Sequence, residues 1–132
     1  MIKVIVNGTF DILHKGHIEL LEYAKSLGGM LLVCIDSDRR VSELKGPTRP
    51  INNQYDRTYM LTALKCVDLV WVFDSAEELI DQIKLFKPDI MVKGDDYKGK
   101  PIVGEDLINE IKFYDRDSLY STTNIIQRIT NR

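Results

Sequence analysis

Two hydrophobic rhythms take turns along the chain. Short apolar runs, the kind that fill a strand covered on both faces, occur at Ile2–Val6, Met30–Ile35, Val67–Phe73 and Pro88–Gly94, with a shorter one at Ile111–Tyr114. Between them lie stretches whose apolar positions recur at helical spacing. The first begins near Gly16, sends Ile18, Leu20, Leu21 and Ala24 toward the core, and stops at Gly28-Gly29. Asp36-Ser37-Asp38 caps a short helix through Val41 and Leu44. Asp56–Leu64 reads as a helix with Tyr59, Leu61 and Leu64 inward. Ser75, with Glu78 three residues on, opens another that runs to Phe86. Gly104–Asn109 reads as a short helix, and Ser121-Thr122-Thr123 caps a last one carrying Ile125, Ile126 and Ile129. No repeat, low-complexity tract or long linker interrupts this alternation. It predicts one α/β domain over residues 1–132, with a Rossmann-like, mainly parallel five-stranded sheet, helices on both faces and right-handed crossovers. The fifth strand is expected at an edge.

In such a sheet ligands sit beyond the carboxyl ends of the strands. Four polar segments follow strands and are expected to converge on that rim: Gly8–His17, the basic loop Lys45–Pro50, Gly94–Pro101 and Ser121–Thr123. Composition narrows what they could bind. A net charge of -2 gives no global basic field for nucleic acid, so an anionic ligand must be held by local groups. No run approaches the roughly 18 apolar residues that span a membrane, and no signal segment opens the chain. Cys34 and Cys66 lack CxxC spacing and read as buried thiols in a reducing, cytoplasmic compartment.

The chemistry concentrates in Gly8-Thr9-Phe10-Asp11-Ile12-Leu13-His14-Lys15-Gly16-His17, a strand-to-helix turn that holds both histidines of the chain. Gly8 is expected to turn the chain through a positive φ. The helix start offers unpaired backbone N–H groups and the positive end of the helix dipole. Gly16 would let a phosphate approach the backbone, His14 and His17 can donate from their rings, and Thr9 adds a hydroxyl. Several donors in one place suit a polyphosphate better than a carboxylate. Two plainer readings stand beside this one. The histidines could be packed, hydrogen-bonded side chains, or His-x-x-His could be half a metal site, although no Cys or further His completes it. Asp11 is expected to brace the turn by accepting backbone N–H bonds. Arg49 and Arg57 could contact phosphate or form salt bridges, and Trp71 and Phe73 read as core.

Gly-Thr-Phe-Asp-x-x-His-x-Gly-His resembles the nucleotide-binding motif of the cytidylyltransferase-like, or "HIGH", nucleotidyltransferases, with His14-Lys15-Gly16-His17 as its core tetrapeptide. Lys45-Gly46, Arg49-Pro50-Ile51-Asn52, Val67-Asp68, Pro88-Asp89, Val92-Lys93-Gly94, Asp96-Tyr97, Ile102-Val103-Gly104 and Ser121–Ile126 follow in order. That set is similar to the nucleotidyltransferase domain of the bifunctional heptose enzymes, which make ADP-heptose from heptose 1-phosphate and ATP. The resemblance implies transfer of a nucleoside monophosphate, favouring AMP from ATP, to a sugar 1-phosphate with release of pyrophosphate. It implies His14, His17 and Lys45 as catalytic residues, and Gly8, Thr9, Phe10, Gly16, Gly94, Asp95, Arg116, Ser121, Thr122 and Thr123 as the nucleotide site. Mg²⁺ is expected with the nucleotide, and a homodimer as the assembly. The chain has no room for a kinase domain, so another protein is expected to phosphorylate the acceptor. Asp95 and Arg116 also match the glycerol-3-phosphate cytidylyltransferases, whose substrate is a phosphorylated polyol and CTP. A flavin- or coenzyme-type adenylyltransferase and a non-catalytic nucleotide-binding module are the remaining alternatives. The mechanism implied for His17 predicts that His17→Ala abolishes most turnover while leaving the melting temperature nearly unchanged.

Overall fold

The computed structural model describes residues 1–115 and 121–132. Five strands, β1 (Lys3–Gly8), β2 (Met30–Asp36), β3 (Leu69–Phe73), β4 (Ile90–Gly94) and β5 (Glu110–Tyr114), form one sheet in the order β3-β2-β1-β4-β5. Every pairing is parallel, so the mainly parallel sheet of the sequence reading is parallel throughout. Five helices connect or follow the strands: α1 (Lys15–Ser26), α2 (Asp38–Lys45), α3 (Gln54–Thr62), α4 (Ala76–Phe86) and α5 (Thr122–Thr130). The chain runs outward from β1 to β3, then returns across the sheet to β4. The strand order therefore reverses beside β1, where a parallel sheet leaves a crevice at its carboxyl edge.

Period-two alternation sends successive side chains to opposite faces, and both faces are covered. Val4, Val6, Leu31, Val33, Ile35 and Val92 pack under Leu20, Leu21 and Ala24 of α1 and Leu61 of α3. Ile5, Leu32, Cys34, Phe73 and Met91 pack under Leu79, Ile83 and Phe86 of α4. The same alternation places Asn7, Asp36 and Lys93, at the carboxyl ends of β1, β2 and β4, on the α4 face.

The element boundaries moved where hydrogen bonds rather than hydrophobicity decide them. Val67 and Asp68 precede β3. The Asp68 carboxylate accepts from the Leu31 N–H at 2.8 Å and from Lys25 Nζ at 2.7 Å, closing the strand's entry. Gly104–Asn109 contains only the single 3-10 turn Glu105–Leu107. On α3, capped by Asn53, the inward residues are Arg57 and Leu61, one turn apart. Tyr59, expected inside, is 78% exposed. Leu64 keeps the core contact expected of it, from the turn after α3. Cys34 is fully buried and Cys66 half-buried.

Candidate functional site

The turn between β1 and α1 is held in a conformation that its sequence does not favour. Gly8 is not left-handed. Instead Phe10 (φ 53°) and Ile12 (φ 51°) are, a region that costs a β-branched residue on the order of 1–3 kcal/mol. Gly8 matters for a different reason: a Cβ there would stand 3.1 Å from the buried Phe10 ring. Three ties hold the strained backbone. The Thr9 carbonyl accepts from Arg57 Nη1 at 2.9 Å, the Asp11 carbonyl accepts from the Thr122 hydroxyl, and the buried Asp11 carboxylate accepts the Ile51 and Asn52 N–H groups at 2.7 and 2.9 Å. Asp11 thus braces, as expected, but what it anchors is the loop before α3. Arg49 Nε lies 3.8 Å from the same carboxylate, which fits its salt-bridge reading.

The two histidines cap α1 reciprocally. The His17 N–H donates to His14 Nδ1 at 3.4 Å, and the His14 N–H donates to His17 Nδ1 at 3.3 Å. This is a capping box in which imidazoles replace the usual hydroxyl and carboxylate. The rings stack with centroids 3.7 Å apart at 22°, and Phe10 lies 5.1 Å from His17. A neutral imidazole that accepts at Nδ1 carries its proton at Nε2. Each ring therefore carries its proton on Nε2, with its orientation fixed by the backbone of the helix it caps; His14 Nε2 is itself buried. The rings are hydrogen-bonded, as the plain packing reading expects, and both also border an open cavity. Among the described residues no group of three metal-ligating side chains exists, so the half-site reading gains no completing ligands.

That cavity encloses about 420 Å³ at the carboxyl edge of β1 and β4. It gathers Gly8, Thr9, Phe10, His14, Gly16 and His17 from the first turn, Lys45 from the end of α2 and Gly94 from β4. Ser121, Thr122 and Thr123 join them at the start of α5, where Ser121 accepts from the Asn124 N–H at 3.0 Å. Asp95 is not among the lining residues; its neighbour Asp96 is. Arg116 lies outside the described residues. The convergence expected of the four polar segments is thus largely realised, with Lys45 alone representing the basic loop.

Of two further residues central to the site, Arg57 was read from the sequence only as a phosphate or salt-bridge residue, and Lys93 was given no role. Arg57 is fully buried and donates to four acceptors: the carbonyls of Asn52, Thr9 and Asp36, each at 2.9 Å, and Asp38 Oδ1 at 2.8 Å. It is the salt-bridge alternative realised, and it ties the first turn to the end of β2 and to α2. Lys93 lines the cavity with only 8% exposure, its Nζ 4.2 Å from the Tyr97 ring. Burial lowers its pKa below the ordinary lysine value, while Asp36 and Asp96 pull the other way. A lysine in the middle of an apolar strand was the only available signal.

A helix start capped by two imidazoles thus stands at the switch point of a parallel sheet, beside the cavity. The comparisons with known proteins agree with that geometry. The family model described as cytidylyltransferase-like matches residues 5–128, and the chain belongs to that family. Over 126 residues it is 53% identical to a protein of Campylobacter fetus subsp. fetus and 48% identical to one of a Nitratiruptor species, both named bifunctional protein HldE. Each alignment covers 96% of this chain and 27% of the relative, so the chain spans about a quarter of the length of those curated relatives. The crystal structure of a lipopolysaccharide core biosynthesis protein from Thermoplasma volcanium is 28% identical, with a TM-score of 0.72 over 89% of this chain and 99% of that one. A pantothenate synthetase from Thermus thermophilus, 17% identical with a TM-score of 0.59 over 92% of this chain and 60% of that one, shares the fold.

Proposed function

We propose that the protein transfers AMP from ATP to the phosphate of a sugar 1-phosphate, with heptose 1-phosphate as the acceptor, and releases pyrophosphate. One acceptor phosphate oxygen attacks the α-phosphorus, a new P–O bond forms, and the bond to the β-phosphate oxygen breaks. The attacking oxygen is already ionised at neutral pH, so no general base is needed. Catalysis then rests on positioning and on neutralising charge in the transition state. The observation that carries this reading is the pair of stacked imidazoles, held by the reciprocal cap, among the residues that line the cavity. They would hydrogen-bond the triphosphate as charge moves onto the leaving pyrophosphate. Lys45 would reach the phosphates from the rim, the N-terminus of α5 would supply further N–H donors, and Gly94 with Asp95 would lie near the nucleoside. Arg116 would add a cation to the phosphates. Magnesium would enter with the nucleotide substrate and offset the charge of its phosphates.

Asp95 supports a second reading, because Gly94-Asp95-Asp96 is the glycerol-type pattern in place of Gly-Gly-Asp. A single experiment separates the readings: pyrophosphate release with ATP or CTP across heptose 1-phosphate, hexose 1-phosphates and glycerol 3-phosphate. Release with ATP and heptose 1-phosphate is expected. Release only with CTP and glycerol 3-phosphate would replace the favoured substrates. Nucleotide binding without release for any pair would make the protein a binding module. Among the described residues no helix is long and apolar enough to cross a membrane, and a cytoplasmic homodimer is the setting we propose. Light scattering at working concentration tests the dimer.

A further inference from the structure

The cavity has two chemically different halves, divided by the edge of the sheet. The half on the α1 side carries His14, Gly16, His17 and the start of α5, and the proposed mechanism uses all of it. The half on the α4 side is not used by that mechanism. Its floor is Asn7, Asp36 and Lys93, and its walls include Phe73, Leu79 and Ile102.

Two of these groups are buried without a conventional partner. Lys93, more than nine-tenths buried, makes no hydrogen bond or ion pair among the described residues; its Nζ lies against the Tyr97 ring, and the Asp36 and Asp96 carboxylates act on it from beyond ion-pair distance. Asn7 Oδ1 is buried and accepts no hydrogen bond among the described residues. A desolvated cation and a desolvated acceptor are each costly to leave unmatched. The cost persists where a ligand supplies what is missing: an anion for the ammonium and a hydroxyl for the amide oxygen. The neighbouring Asp36 is committed to Arg40 Nε at 2.8 Å and to the Thr9 hydroxyl at 3.4 Å, so neither it nor Arg40 is spare for the task.

We propose that the α4-side half of the cavity is the acceptor pocket, in which Lys93 holds the phosphate of a phosphorylated sugar and Asn7 accepts a hydrogen bond from one of its hydroxyls. This rests on the nucleotidyltransferase reading, and it assigns the two substrates to opposite sides of the sheet. The phosphate displaces Tyr97 as the partner of the ammonium. Phe73, Leu79 and Ile102 face the carbon skeleton. Held there, the acceptor phosphate approaches the α-phosphorus from the side away from the histidines, which leaves the pyrophosphate to depart toward α1.

The test is equilibrium binding of heptose 1-phosphate, read by calorimetry on protein saturated with α,β-methylene-ATP. Lys93→Met should weaken the sugar phosphate by roughly 30-fold or more, as loss of one partner from a buried charge pair does. It should leave affinity for the ATP analogue unchanged. Lys93→Arg should restore part of the loss, and it serves as the reading if the methionine variant does not fold. Equal sugar-phosphate affinity in wild type and variant overturns the proposal. So does a loss of ATP-analogue affinity, which would assign Lys93 to the nucleotide. Wild-type protein that binds no sugar phosphate overturns the pocket. Lys93-dependent binding without pyrophosphate release would leave the pocket standing and overturn the reaction instead.

Discussion

Each imidazole at the start of α1 has two jobs, and they are separable by measurement. Nδ1 closes the helix, and the ring lines the cavity. The sequence reading assigned only the second, which is why it expected His17→Ala to be silent in stability. The reciprocal cap changes that expectation. His17→Ala should cost about 1 kcal/mol of unfolding free energy, the usual price of losing an N-cap partner. It should also lower kcat by about 10²–10³-fold, as loss of one preorganised donor does. Urea denaturation and pyrophosphate-release kinetics on one preparation check both numbers. A drop in stability without a drop in turnover would reduce the ring to a cap. The double role was invisible in the sequence because capping boxes are recognised from serine, threonine and glutamate, not from His-x-x-His.

At the scale of elements, the site depends on how α3 is rotated. Hydropathy put Tyr59 inside and was silent on Arg57, yet the helix does the opposite. Three backbone carbonyls and Asp38 converge where α3 meets the first turn, and that concentration of acceptors recruits a guanidinium over an aromatic ring. A hydropathy pattern cannot register unsatisfied carbonyls contributed by distant segments. Arg57→Met should therefore destabilise the fold by about 3–5 kcal/mol, because the acceptors stay buried after their donor is gone. The expected signature is a lower urea midpoint with an unchanged slope. A loss below about 1 kcal/mol would mean that water replaces the guanidinium. Other elements followed their patterns closely. The four longer apolar runs became β1 to β4, since alternation between two hydrophobic coats leaves few other solutions. The helix predicted over Gly104–Asn109 shrank to one turn because only three of its residues take helical hydrogen bonds.

For the whole molecule, the parallel five-stranded sheet and the rim where the polar segments meet were legible from the alternation of elements, whereas the strand order β3-β2-β1-β4-β5 was not. The burial of Lys93 and of the Asn7 amide oxygen was not legible either, since it arises only after the sheet has closed. Burial also couples the core to pH. Cys34, fully enclosed beneath α4, has its thiol pushed up from 9.0 to about 12 by desolvation. The native state then keeps a proton that the unfolded chain releases, so this contribution is complete below pH about 9 and shrinks as the pH rises toward 12. Stability should fall more steeply between those values in wild type than in Cys34→Ala, by up to about 1.4 kcal/mol per pH unit. Chemical denaturation at pH 8, 9.5 and 10.5 reads the difference, and identical slopes would contradict it. The hydroxyl of Thr122 bonds to the carbonyl of Asp11, so the last helix clasps the first turn across 111 positions of sequence. During synthesis on a ribosome every strand emerges before that clasp can close. A nascent chain can thus own a finished sheet while its binding pocket still awaits the final helix.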